Sequence, residues 1–148
     1  MSASAGSIQS AAVVSAPRSR GLHIGLWVAQ GVLALVFAMA GLSKLTQPVA
    51  ALAKSIPYVM TMPEALVRFI GVSELAGALG LILPSVTRIR PVLTAWAAVG
   101  LVAVMVLAFA FDVWHGDTQA LPVNVVLGGL AAFVARGRFG KARIPSRG

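Results

Sequence analysis

Four long apolar runs, separated by short polar punctuation, organise this chain of 148 residues. The first extends from Leu22 to about Leu45, the second from Pro63 and Glu64 to Leu83, the third from Pro91 to about Trp114, and the fourth over about 121–137. At about 1.5 Å per helical residue, the first three are long enough to cross a hydrocarbon core of about 30 Å, and the fourth is short for a span. Pro63 followed by Glu64 is a helix start, with proline at the first position and an acid in the first turn. Pro84 is predicted to end the second helix, and His115-Gly116-Asp117 reads as a turn. Residues 49–62, with Lys54, Pro57 and Tyr58, form a connector with room for one short interfacial turn.

The predicted architecture is all-α: a four-helix transmembrane bundle over residues 22–138, with helices at about 22–45, 64–83, 91–114 and 121–137. Residues 1–21 precede it as a Ser- and Ala-rich tail without a periodic apolar face, expected to be disordered. Residues 139–148 follow as a basic tail. A secretory signal peptide is the rival reading of the first run, because Arg18 and Arg20 precede it and Ala38-Met39-Ala40 imitates a cleavage site. The run exceeds the usual core of about 7–15 residues and three more follow, which favours an uncleaved helix.

Composition sharpens this picture. Hydrophobic residues make up 58% of the chain and charged ones only 11%, with a mean hydropathy of +0.89. So few charges cannot clothe a water-soluble domain of this size, which leaves an integral membrane protein in contact with the bilayer. With four spans, Arg18, Arg20, Arg88, Arg90, Arg136, Arg138, Lys141, Arg143 and Arg147 fall on one side, against Lys44 and Lys54 on the other and Arg68 within the second helix. Basic residues mark the cytoplasmic face, so both termini are expected there. Topology and anionic lipid then account for the net charge of +8; the basic tail lacks the interleaved aromatics of a nucleic-acid footprint. Trp27, Tyr58 and Trp114 fit interfacial belts.

Cysteine is absent, which removes disulfides, thiolate nucleophiles, iron–sulfur ligation and c-type haem attachment. The two histidines, His23 and His115, are predicted at opposite faces, a placement that argues against a metal or haem site in this chain. Any redox centre would sit elsewhere.

Candidate chemistry centres on Glu74. It shares a helix face with Gly71, Gly77 and Ala78, so that face should meet another helix rather than lipid. An acid within a span is rare and costly, and is by default a candidate site. The site reading is a polar pocket open to the outer side, with Glu74 at its base, Lys44, Arg68 and Asn124 around it, and Gln30 closest to Glu74 in depth. The plainer reading is that Glu74 is buried neutral as interhelical glue, with Lys44 and Arg68 reaching to the interface and Asn124 capping or packing a helix. Asp112 is expected to be a solvated helix end.

The stretch Leu66-Val-Arg-Phe-Ile-Gly-Val-Ser-Glu-Leu-Ala-Gly-Ala-Leu-Gly-Leu-Ile-Leu-Pro84, continuing Thr87-Arg-Ile89, resembles the second-helix signature of the DoxX-like family of small bacterial membrane proteins. Ala40-Gly-Leu-Ser-Lys-Leu45 resembles the end of that family's first helix, and Asn124 with Leu127 its fourth-helix motif. The likeness covers about 22–138. It implies a four-helix transmembrane bundle associated with membrane redox complexes, such as quinol oxidase and thiosulfate:quinone oxidoreductase, in a family most of whose members have no established activity. Lys44, Arg68, Glu74 and Asn124 match its recurring polar residues. Relatives often read Phe-His and then Arg-Gly-Glu where this chain has Phe111-Asp112 and His115-Gly116-Asp117, so no role needing that first histidine carries over.

Three functions follow as expectations. The first is a cofactor-free accessory or quinone-interacting component of a membrane oxidoreductase, with Glu74 exchanging the quinol proton and Arg68 or Lys44 polarising a quinone oxygen. The second is a small proton-coupled exporter of hydrophobic cations. The third is a non-catalytic assembly or scaffold protein that associates with a membrane oxidoreductase subunit or with itself through its small-residue faces.

Overall fold

The computed structural model describes residues 20–140 and 142–147, with the side chains of residues 57 and 58 left aside; the expected N-terminal tail lies outside the described residues except for its last two positions. Their regular structure is helical, with no strand among the described residues. Helix α1 is Arg20–Thr46, α2 is the short Val49–Leu52, a 3₁₀ turn follows at Pro57–Thr61, then come α3 (Glu64–Thr87), α4 (Val92–His115) and α5 (Leu121–Phe139). The connector is therefore more structured than one interfacial turn. Leu52, Val59 and Val67 form a small apolar cluster that ties it to the start of α3.

The four long helices pack in the cyclic order α1, α3, α4, α5, with α5 closing back on α1. Contacts fix antiparallel neighbours: Gly41 meets Gly71, Gly77 meets Leu101, Gly128 meets Met105, and Gly137 meets Leu26. Each pair joins a glycine to a backbone or side chain that fills the space a Cβ would take, and this close approach holds a membrane bundle together where no hydrophobic drive exists between helices. Leu26, Leu33, Phe37, Leu81, Ala98, Leu101, Met105, Ala131 and Val134 fill the interior.

Outward-facing residues are apolar too: Val28, Leu35 and Met39 on α1, Phe69, Val72, Leu79 and Leu83 on α3, Val106 and Leu107 on α4, and Val125, Val126 and Phe133 on α5 are exposed. An exterior as oily as the interior suits lipid, not water. Helices α1, α3 and α4 are long and apolar enough to cross a membrane. Helix α5 has 19 residues and is diluted by Asn124, Arg136 and Arg138.

Two boundaries differ from expectation, at the end of α3 and after α5. Helix α3 runs through Pro84 to Thr87. The proline removes only the N–H that Gly80 would receive, and the next turn is held from two other helices, because Ser85 bonds Gln30 on α1 and Thr94 on α4. Gly116, in the left-handed conformation, ends α4, and the N–H of Asp117 returns to the carbonyl of Asp112, a glycine C-cap. Residues 142–147, within the expected basic tail, fold back: Ala142 and Ile144 are buried, and the N–H of Arg147 donates to the carbonyl of Arg88.

Candidate functional site

Most of the polar side chains inside the bundle divide into two layers separated by the apolar core. The first lies at the end where α1 finishes and α3 begins. There Lys44 Nζ donates to both carboxylate oxygens of Glu74, at 3.0 and 2.8 Å. The side chains are 15% and 6% exposed respectively, so this ion pair is largely shielded from its surroundings. Its position follows from the glycines: Gly41 and Gly71 let the α1 and α3 backbones touch, and Lys44 and Glu74 each sit three residues further along their own helix, on the same face.

Arg68 lies one level nearer the bundle end. Its guanidinium donates to the carbonyls of Lys44 and Gln47 and to Oε1 of Glu64. It thus fastens α3 to the carbonyls that the last turn of α1 leaves unpaired, rather than facing Glu74. At the same end Asn124 Nδ2 donates to Asp112 Oδ2 at 2.5 Å, linking α5 to α4. Asp112, expected in water, is 1% exposed, and its Oδ1 has no partner. It lies seven residues after the buried Met105, two helical turns on, and so continues the buried stripe of α4. Asn124 sits in the first turn of α5 yet bonds across helices rather than capping.

The second layer lies at the opposite end. Gln30 Nε2 donates to the carbonyl of Leu81 at 2.6 Å and to Ser85 Oγ at 3.2 Å, and Ser85 shares a 2.8 Å hydrogen bond with Thr94. Gln30 Oε1 accepts from Arg138 Nε at 2.6 Å. Gln30 is therefore not beside Glu74. Leu81, its partner, is seven residues further along α3, about 10 Å away along the axis. The expected five-residue pocket resolves into Lys44 with Glu74 and Arg68, Asn124 with Asp112, and Gln30 in a separate layer.

Arg138 is the functional candidate that sequence reasoning passed over, having counted it among the surface charges. It is 2% exposed and lies against the Trp27 ring at 5.3 Å. Its signal was in the spacing: Ala131, Val134, Ala135 and Arg138 are the buried positions of α5, the i, i+3, i+4, i+7 stripe of one face.

A cleft of about 490 Å³ opens at the Lys44 end, between the connector and the α4–α5 turn, lined by Lys54, Ser55, His115, Asp117 and Gln119 among others. His115 stacks on Phe111 with ring centroids 3.9 Å apart. Glu74, Lys44, Arg68 and Asn124 do not line this cleft. Among the described residues no cluster of three or more His, Cys, Asp or Glu side chains could hold a metal ion.

Comparison with curated proteins and with solved structures returns no match. A model of the DoxX-like family matches residues 28–134, most of the chain and all four long helices at least in part. With this match and three helices long and apolar enough to cross a membrane, the chain belongs to the DoxX-like family of membrane proteins.

Proposed function

We propose that this protein is a four-span component of a bacterial inner membrane, both termini cytoplasmic, that assists a membrane oxidoreductase by engaging a quinone at the Lys44–Glu74 pair. The supporting observation is the pair itself: an ammonium that keeps 15% of its side-chain surface exposed, in front of a carboxylate at 6%. A quinone oxygen could accept a hydrogen bond from Lys44 Nζ while Glu74 takes a proton from a quinol hydroxyl or gives one to the ring oxygen of the reduced quinone. Electrons would pass to or from the partner oxidoreductase, since the chain contributes no cysteine and no redox group of its own to this reading.

The exporter reading fits less well. A carboxylate that binds cationic substrates must be vacant when the substrate arrives, and Lys44 already occupies both oxygens of Glu74. A pure scaffold would need no buried ion pair, which costs desolvation that a hydrophobic contact avoids.

The test is extraction of quinone from protein purified in mild detergent, beside Glu74→Gln and Lys44→Met. Quinone retained by the wild type and lost from both variants is expected. An empty wild type after reconstitution with excess quinone, or equal retention in all three, would sink the proposal.

A further inference from the structure

Arg138 poses a question of charge that the bundle does not answer. A guanidinium stays protonated in proteins, so burial cannot be relieved by losing the proton. The side chain is 2% exposed. Nε is taken by Gln30 Oε1 and Nη1 by the carbonyl of Ala142, while Nη2 has no partner. Both acceptors are neutral amide oxygens. They satisfy donors but do not cancel the charge, and the C-terminal dipole of α5 offsets only part of it.

No carboxylate side chain can do so either. The chain has four acidic residues, and Glu64, Glu74, Asp112 and Asp117 all belong to the other half of the bundle, Glu74 being held there by Lys44. The surroundings of Arg138 are instead basic, with Arg88, Arg90, Arg136 and Arg143 exposed at the same end. Such a cluster raises the local concentration of anions.

We infer that Arg138 Nη2 holds an oxyanion supplied from outside the chain, a phosphate group, at the basic end of the bundle. The planar fork of the guanidinium matches phosphate oxygens. Arg138 stands in the last turn of α5, the level at which the headgroup of an anionic phospholipid would lie beside a spanning helix. Ala142 contributes the carbonyl on Nη1, so this contact must yield as the phosphate enters. Free phosphate offers the same oxygens and is the other source. The inference does not rest on the quinone reading, whose residues lie in the other layer.

The experiment uses full-length protein delipidated in zwitterionic detergent at about 1 M salt, where screening over about 3 Å suppresses loose surface attraction. Unfolding temperature is measured with added phosphatidylglycerol, phosphatidylcholine or inorganic phosphate, for the wild type, Arg138→Gln, Arg138→Lys and the exposed control Arg136→Gln. Phosphatidylglycerol should raise the wild-type and Arg136→Gln values by about 4 °C, the rise expected at tenfold excess over Kd, and leave both Arg138 variants unmoved. A matching rise with inorganic phosphate would support the site and name the free ion as its source. Native mass spectrometry of protein extracted with its lipids gives a second readout should Arg138→Gln not fold: one anionic lipid should be retained by the wild type and lost from Arg138→Lys. Equal shifts in wild type and Arg138 variants, or no shift and no retained lipid anywhere, would overturn the inference.

Discussion

Lys44 Nζ reaches both carboxylate oxygens of Glu74 across the line where the α1 and α3 backbones touch. The pair is thus the polar counterpart of the Gly41–Gly71 contact, and the two features depend on each other. A bulkier residue at either glycine would separate the helices that bring ammonium and carboxylate together.

This arrangement makes the pair's energetics separable by a double-mutant cycle. Removing one partner leaves the other charge buried alone, which costs about 3–5 kcal/mol in a fully buried pair and less here, where Lys44 keeps some exposure. Replacing both with apolar residues of similar length removes the charge together with its counter-charge. Thermal unfolding in detergent should therefore show Lys44→Met and Glu74→Leu each strongly destabilised, and the double variant recovering most of the loss while losing any quinone it held. A double variant no more stable than the worse single variant would show that the pair is not isolated.

Glycines along the same helices should differ sharply in tolerance. A Cβ on Gly41 would sit 2.7 Å from the carbonyl oxygen of Gly71 and 3.0 Å from the backbone nitrogen of Leu75. Backbone cannot move aside without parting the helices, so Gly41→Ala should lower stability by about 2 kcal/mol or more. A Cβ on Gly77 would sit 2.5 Å from the branched end of Leu101, a side chain that can change rotamer, and the alanine variant should cost less. A Cβ on Gly100 would meet no other side chain or helix within 4 Å, and alanine there should be neutral or favourable by up to about 1 kcal/mol through helix propensity. The order of unfolding temperatures across the three alanine variants checks this directly.

Much of this design was legible before the structure. The small residues around Glu74 announced a helix contact, and Lys44, Arg68 and Glu74 do lie at one end of the bundle. What periodicity alone could not supply was the register between helices, and register decides which polar groups meet. Depth counted from the membrane edge placed Gln30 nearest Glu74, yet antiparallel packing aligns Gln30 with Leu81 and Ser85. Arg138 and Asp112 depart from expectation for another reason: near the ends of helices, a charged residue reads as solvated. Only their places on the buried stripes of α5 and α4 showed otherwise.

Asp112 yields a third prediction. Its Oδ2 accepts from Asn124 and its Oδ1 is unpaired, while Lys44 and Arg68, at the same end, are committed elsewhere. Asparagine at 112 would keep an oxygen for Asn124 and bring no charge into the interior. Asp112→Asn should unfold within about 1 kcal/mol of wild type, whereas Asp112→Ala strands the Asn124 amide and should cost about 1–3 kcal/mol. Marked destabilisation of the asparagine variant would mean that the carboxylate charge itself is used.

Helix α5 carries the last prediction, because the proposed four-span topology turns on it. At 19 residues it is about 28 Å long, close to the hydrocarbon thickness of about 30 Å, though Asn124 and two arginines make it the least apolar of the four. Packing supplies what composition lacks: Asn124 is bonded to Asp112, Arg138 is bonded to Gln30, and the helix is antiparallel to both α4 and α1. Thr118 and Ser146 lie on either side of α5 and are both exposed. The chain has no cysteine, so Thr118→Cys and Ser146→Cys can each be made as a single reactive thiol. A membrane-impermeant maleimide applied to intact spheroplasts should label residue 118, and residue 146 only after lysis. Labelling of both from outside, or of neither, would mean that α5 does not cross, and the basic end would lose the single-sided character on which its proposed cytoplasmic placement rests.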